Sequence, residues 1–246
     1  MAKIFRKIRQ NMIKDKKVIN YLLYAIGEII LVVIGILIAL SINNSNELKK
    51  TRDAEQVYLK EIKSDLIQDT LFLSQVIQDH KWRIAQLMSQ DSTIDLVFEE
   101  IIGELPTVEG VSELEYIFFT DRKFRPKIGT YNAMISEGKS NIISNRELFN
   151  NIQNIYELEV QNIIAIGEDV LDRSTALRNK YAYEIKYGEF GSPITITDKR
   201  ILADIYISSR QLNYYTRQSV LLKKSITELI ELIDIEYQSL ENNNQS

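Results

Sequence analysis

The chain of 246 residues contains no cysteine, a single histidine, three prolines and nine glycines. Without cysteine it can form no disulfide and can use no thiol in catalysis. One histidine, His80, excludes zinc sites with two histidine ligands and di-iron sites built from paired Glu-x-x-His motifs. The sequence also lacks Gly-x-Ser-x-Gly, phosphate-loop and dinucleotide-binding patterns. We therefore expect no enzyme, no catalytic residues, no cofactor and no metal site.

The remaining candidates for chemistry are few. The acid pairs Glu99–Glu100 and Glu113/Glu115 resemble a hydrolytic carboxylate pair only in composition, and we interpret them as solvated helical faces. His80 and Trp82 fall late in a predicted helix, where we expect a packing or surface role.

Charge limits the partners of the chain. It carries 30 basic and 34 acidic residues, and residues 43–246 alone hold 23 basic and 32 acidic ones. An acidic domain is a poor partner for nucleic acid, so we expect no nucleic-acid binding. About 200 residues are enough for one self-supporting core.

The apolar run "YLLYAIGEIILVVIGILIALSINN" contains one carboxylate, Glu28. Counted back from Ile42, 21 residues give a helix of roughly 31 Å, close to the hydrocarbon thickness of a bilayer. A helix that starts after Glu28 has only 14 residues, about 21 Å, and is too short to span. The run predicts a transmembrane helix over residues 21–42 with Glu28 inside the bilayer.

The flanks of this helix predict its orientation. Residues 1–20 hold seven basic residues against one acid, Asp15. This bias predicts a cytoplasmic segment 1–20 and an extracytoplasmic, periplasmic domain 43–246. The basic segment fits either an amphipathic surface helix or a disordered tail that only sets topology. A cleaved secretory signal is the alternative to an anchor, but its apolar region is typically only about 7–15 residues long.

Residues 43–246 are predicted to be helical almost throughout. Apolar residues recur at steps of three and four over 47–90, from a Ser144–Glu147 capping box to Gly188, and from Asp198 onward. Short helices fit 93–102, 111–120 and 130–137, the last capped by Thr130 and ended by Gly138. Residues 188–197 form a loop. The predicted fold class is all-α: one transmembrane helix followed by an elongated bundle of three long helices plus short ones, about 60 Å long.

Three stretches together, the apolar run above, "YLKEIKSDLIQDT" and "TYNAMISEGKSNIISNRELFNNIQNIY", resemble a domain-of-unknown-function family of single-pass membrane proteins. That family is common in flavobacterial-type Gram-negative bacteria. The Gly27–Glu28 pair within the apolar run is the most specific feature of the resemblance. The resemblance implies a location in the bacterial inner membrane and supplies no activity.

One face of the predicted transmembrane helix is distinct. At 100° per residue, Gly35 and Ala39 lie within about 20° of Glu28, with Tyr24 and Val32 close by. Small residues let helices approach closely, and a carboxyl inside a bilayer needs a hydrogen-bond partner. We therefore predict a helix-association face at these five residues. The alternative is that Glu28 is merely tolerated as a neutral acid that reaches headgroups or water.

The sequence leaves three functions open. The first is a membrane-anchored scaffold or interaction protein without catalytic activity, which contacts the lipid bilayer and assembles as a homo-oligomer or with another membrane protein through the Glu28 face. The second is a ligand-sensing helical bundle that works with a signalling partner. The third is an accessory subunit of a proton-driven membrane complex, in which an intramembrane acid is typical.

Overall fold

The computed structural model describes residues 18–89, 102–108, 118, 122–187 and 198–244. The chain divides into two compact units, residues 1–54 and 55–246. All regular elements in the described ranges are helical, which confirms the predicted all-α class. Residues 1–17 of the predicted basic segment 1–20, the predicted loop 188–197 and most of the predicted helices 93–102 and 111–120 lie outside the described residues. Residues 18–20 belong to the first helix.

Helix α1 runs from Val18 to Ser89 without interruption, 72 residues in all. It therefore contains both the predicted transmembrane segment and the first predicted bundle helix. The polar residues 43–46, which mark the outer edge of the apolar run, do not end the helix. The stretch from Val18 to Ser89 contains only two glycines, Gly27 and Gly35, and no proline, so no helix breaker interrupts the backbone.

The second unit contains the remaining helices. These are α2 (Gly129–Ser136), α3 (Arg146–Asn154), a π-helical turn (Ile155–Glu159), α4 (Val160–Lys180), α5 (Ala182–Tyr187) and α6 (Lys199–Asn244). The predicted second long helix, 144–188, is thus α3 to α5. It carries a π turn and a break at Tyr181 that the sequence pattern does not predict.

Helix directions follow from pairs of contacting residues. Lys63 pairs with Asp234 and His80 packs on Tyr215, so α6 runs antiparallel to α1. Arg173 on α4 lies 3.3 Å from Asp204, near the start of α6, so α6 is antiparallel to α4 as well. Helices α1 and α4 are consequently parallel, and the chain that leaves α1 at Ser89 lies beside Glu55 of α1 again at Ser144.

The predicted apolar positions form the core of this unit. Leu59, Ile62 and Leu66 of α1 are fully buried, and so are Ile152 of α3 and Ile205 and Ile226 of α6. Burying one such side chain stabilises a fold by roughly 1.5–3 kcal/mol, so this shared core holds the three helix layers together. The helical periodicity is confirmed, because the residues that recur at three and four are those that lose their exposure.

Two of the predicted helix ends are confirmed. Gly138 has φ +68°, and its N–H donates to Ile135 O while Lys139 N–H donates to Met134 O, both at 3.0 Å. This left-handed turn ends α2 as predicted. Asp198 Oδ1 accepts from Arg200 N at 2.8 Å and caps α6.

Two of the predicted caps are wrong. Helix α3 is capped by Asn145, whose Oδ1 accepts from Leu148 N at 3.1 Å, and not by Ser144. Helix α2 follows Ile128 without a side-chain cap, because the Thr130 hydroxyl donates instead to Asp65 Oδ2 at 2.7 Å. In both places the local pattern predicts that a hydroxyl caps the helix, but this hydroxyl forms a hydrogen bond to a residue that is distant in the chain. Ser144 and Thr130 attach their loops to α1.

Candidate functional site

The predicted association face lies on α1 in the first unit. Glu28, Val32, Gly35 and Ala39 are exposed, and Tyr24 is half-buried. Among the described residues, no atom lies within 4 Å of the position that a Cβ on Gly35 would take. The structure thus places the five residues on one continuous helix, with Gly35 open to close approach by another molecule.

The surface around this face is apolar on all sides. Large aliphatic residues from Leu22 to Ile42 are roughly half exposed or more, with Leu31 at 73 %. The helix is long and apolar enough to cross a membrane, and none of its most apolar stretch is buried against the protein. A contiguous apolar surface of this kind marks contact with lipid or with another protein.

The second unit contains three buried titratable residues on α1 that the sequence reasoning missed or left open: Glu55, Asp69 and His80. They fall at the same steps of three and four as the buried Leu59, Ile62, Leu66, Leu73 and Val76. If the steps of three and four are followed regardless of polarity, they predict that all three lie in the core. The apolar pattern alone omits them.

Glu55 is tied to the segment that precedes α3. Its exposed fraction is 1 %, and its Oε1 accepts from Ser144 N at 2.6 Å and from Ser144 Oγ at 2.9 Å. A buried carboxylate that accepts hydrogen bonds from a backbone amide and a hydroxyl is compensated for its lost hydration. Glu55 therefore fixes where the chain returns to α1.

Asp69 is buried with only one of its oxygens satisfied. Its Oδ1 accepts from Lys127 N at 2.9 Å, while its Oδ2 has no partner among the described residues. Burial raises the pKa of Asp69 to about 6. The hydrogen bond from Lys127 N acts in the opposite direction, and the charge of the nearby Asp65 carboxylate acts in the same direction as burial. Asp69 is thus a group that changes charge close to neutral pH.

Two tyrosines stack near these acids. The rings of Tyr131 and Tyr156 lie 4.7 Å apart at 13°, and Tyr131 Oη donates to Glu157 Oε1 at 2.5 Å. Burial raises the pKa of both phenols. The hydrogen bond to Glu157 raises the pKa of Tyr131 further, and the negative charge of Asp69 raises the pKa of Tyr156 further. Both side chains consequently stay protonated at neutral pH and serve packing rather than nucleophilic chemistry.

His80 is fully buried, and its ring meets the ring of Tyr215 edge-on at 5.0 Å. Burial lowers the pKa of His80 to about 4. The imidazole is therefore neutral at physiological pH and acts as a packing residue. Trp82, two residues on, remains 38 % exposed.

The described residues hold no group of three His, Cys, Asp or Glu side chains that could bind a metal ion. The acid pairs Glu99–Glu100 and Glu113/Glu115 lie outside the described residues. A surface groove of about 540 Å³ runs between α4 and α6, with Ile166 and Val170 on one side and Ile207 and Tyr214 on the other. Ile207 and Tyr214 are 44 % and 48 % exposed, so the groove is open to solvent.

Residues 28–199 match a family that is described as "Family of unknown function (DUF6090)". The matched range begins at Glu28, contains the exposed apolar segment from that residue onward and helices α2 to α5, and ends at the first residue of α6. No curated protein and no solved structure matches the chain.

Proposed function

We propose that this chain, which belongs to the DUF6090 family, is a membrane-anchored scaffold without catalytic activity that assembles through its transmembrane helix. Residues 1–20 lie in the cytoplasm of a Gram-negative bacterium, residues 21–42 cross its inner membrane, and residues 43–246 form a periplasmic helical domain. The partner is a second copy of the chain or another membrane protein.

The observation that carries the proposal is the exposed apolar surface around α1 from Leu22 to Ile42. In water, this surface would favour aggregation, whereas in a bilayer its aliphatic side chains meet hydrocarbon. Residues 22–42 lie inside α1 and away from its ends, so their backbone N–H and C=O groups are satisfied by the helix itself, which a bilayer requires.

The charges that flank the helix support the orientation. Seven basic residues and one acid precede the helix. After it, basic and acidic residues are mixed, as in Glu47, Lys49, Lys50, Arg52 and Asp53. Lysine and arginine close to a transmembrane helix are retained on the cytoplasmic side.

Glu28 supports assembly. A carboxyl near the bilayer centre costs a few kcal/mol unless it meets a hydrogen-bond partner. Gly35 lies about two turns further along the same face, and a residue without a Cβ allows a second helix backbone to approach closely. Glu28 thus supplies the polar contact, and Gly35 with Ala39 supplies the space.

The test is disulfide crosslinking in native membranes. Because the chain has no cysteine, Asn46→Cys gives a single reporter thiol, and residue 46 lies five helical turns beyond Glu28 on the same side. We expect Glu28→Leu to leave insertion intact but to weaken association by roughly five- to thirtyfold, since an intramembrane hydrogen bond contributes about 1–2 kcal/mol.

Gly35→Ile should weaken association in the same assay by blocking close approach, without any change in charge. Val33→Leu, on the opposite side of the helix, is the matched control and should crosslink like the parent chain. If all these variants crosslink to the same extent as the parent, the face makes no contact and Glu28 is a tolerated acid.

A further inference from the structure

The outward face of α1 within the second unit changes character at Ser64. From Ser64 to Ser89 every exposed side chain of the helix is uncharged. Between these two serines the exposed residues are Ile67, Gln68, Leu71, Gln75, Gln78 and Trp82. We call these residues, with the two serines, the uncharged stripe. Just before it, Lys60 and Glu61 are exposed and charged, as is usual for a chain that is 26 % charged.

The same stretch of helix does contain charges, but each of them has a partner within the protein. Asp65 accepts from Thr130 and Asp69 from Lys127 N. Lys81 Nζ donates to Ile102 O at 3.0 Å, and Arg83 Nε pairs with Asp79 at 2.9 Å, with Arg83 largely buried. The charges of this part of α1 are thus paired and buried or half-buried, and not simply missing from the sequence.

The stripe also has the spacing of a helix–helix contact. Ser64, Gln68, Leu71, Gln75, Gln78 and Trp82 follow one another at steps of four and three. This period of 3.5 residues keeps a seam facing a neighbouring helix over many turns. Leu71 at 62 % exposure and Trp82 at 38 % are the apolar contacts along it.

We propose that a second copy of the chain docks along the uncharged stripe, parallel to the first and with each residue facing its counterpart. The parallel direction rests on the proposed function, because two copies anchored in one membrane by the same helix point the same way. In a parallel symmetric pair any charge on the seam would face an identical charge and be repelled. An uncharged seam is what such a pair requires.

The composition of the stripe suits contact between identical residues. A glutamine amide both donates and accepts, so Gln68, Gln75 and Gln78 can each hydrogen-bond to the same residue of the other copy. Leu71 meets leucine and Trp82 meets tryptophan, and buried aromatic residues dominate the energy of many interfaces. A partner of different chemistry would have no need for this self-matching set.

Crosslinking of the full chain in native membranes tests the proposal. Gln75→Cys gives one thiol in the middle of the stripe, and Asn162→Cys gives one at an exposed position of α4 as the control. On mild oxidation we expect a disulfide-linked dimer with Gln75→Cys and little or none with Asn162→Cys. Equal crosslinking of both would indicate random collision, and none with Gln75→Cys would exclude the seam; either result overturns the proposal.

Charges on the seam provide a second, non-covalent criterion. With Gln78→Cys as the reporter, Gln75→Glu should abolish the dimer, because two carboxylates then face each other. Coexpression with a chain that carries Gln75→Lys and Gln78→Cys should restore it as a mixed dimer. Loss without restoration, or no loss at all, contradicts a parallel self-facing seam.

The Asn46→Cys reporter separates this proposal from the transmembrane contact. Crosslinking at residue 46 that is sensitive to Glu28→Leu, together with no crosslinking at residue 75, supports the transmembrane face and overturns the seam. The opposite pattern overturns the transmembrane face and supports the seam.

Discussion

Asp69 is a carboxyl that the fold holds in an unfavourable ionised state at neutral pH. Its pKa is raised from 3.8 to about 6 by burial, so protonation is favoured in the folded protein over the unfolded chain. Its contribution to stability is therefore fully present below pH 4 and is lost as the pH rises through 6. The amide of asparagine cannot ionise and can still accept from Lys127 N.

We expect Asp69→Asn to stabilise the protein more at pH 8 than at pH 4. The free energy of unfolding of the variant minus that of wild type should be on the order of 2–3 kcal/mol larger at pH 8. Urea unfolding of the detergent-solubilised chain, followed by circular dichroism between pH 4 and 8, measures this difference. His80 titrates in an overlapping range with the opposite sign, but it is present in both proteins and cancels.

Asp172→Asn, at an exposed position of α4, is the control and should show no comparable pH dependence. A difference between Asp69→Asn and wild type that stays constant from pH 4 to 8 would contradict the burial argument for Asp69.

At the scale of single residues, the sequence predicts apolar burial well and polar burial poorly. Leu59, Ile62 and Leu66 are recognisable because hydrophobicity and helical phase agree. Glu55 and Asp69 share that phase, yet their burial depends on Ser144 and Lys127, which are 89 and 58 residues away in the chain. A local pattern carries no information about such partners.

At the scale of helices, Gly167 of α4 is a position where Tyr215 of α6 approaches the backbone closely. A Cβ there would lie 2.9 Å from Tyr215 Oη and 3.2 Å from Tyr215 Cζ. Tyr215 is fully buried, its Oη accepts from Phe124 N at 2.8 Å, and its ring packs on His80, so it has little room to move.

We expect Gly167→Ala to lower the melting temperature of the solubilised protein. Alanine favours a helix over glycine by about 1 kcal/mol, but overpacking a rigid core typically costs roughly 1–3 kcal/mol. Loss of the Tyr215–Phe124 hydrogen bond adds to that cost. A net loss of about 1 kcal/mol corresponds to a fall of roughly 2–4 °C.

Gly129→Ala is the control, because open space surrounds the position of its Cβ, and we expect it to be neutral or mildly stabilising. A melting temperature for Gly167→Ala equal to or above that of wild type would show that Tyr215 can move, and that α4 and α6 are not held at this point.

Helix interiors were predictable, whereas their irregularities were not. The π-helical turn at Ile155–Glu159 carries the buried residues Ile155 and Tyr156, and Asn154 Nδ2 donates to Glu159 Oε1 at 2.9 Å across it. No glycine or proline marks this turn, and the buried pair does not reveal it either, because the regular helix α3 also buries two adjacent residues, Leu148 and Phe149.

At the scale of the whole molecule, the sequence predicts an apolar anchor and a helical domain, and the all-α fold is confirmed. The direction of each helix in the second unit emerges only from long-range pairs such as Lys63 with Asp234. The uncharged stripe is likewise invisible in the sequence, because five charged residues interleave with it along α1. Only the pairing and the reduced exposure of those charged side chains reveal it.

Membrane topology is the premise of both the transmembrane face and the parallel seam. An epitope tag placed before residue 1 and external protease on intact spheroplasts measure it directly. We expect the protease to digest the chain beyond about residue 45 and to leave a short protected fragment that carries the tag, because the basic segment stays in the cytoplasm. A full-length chain that is cleaved only after lysis would contradict the account.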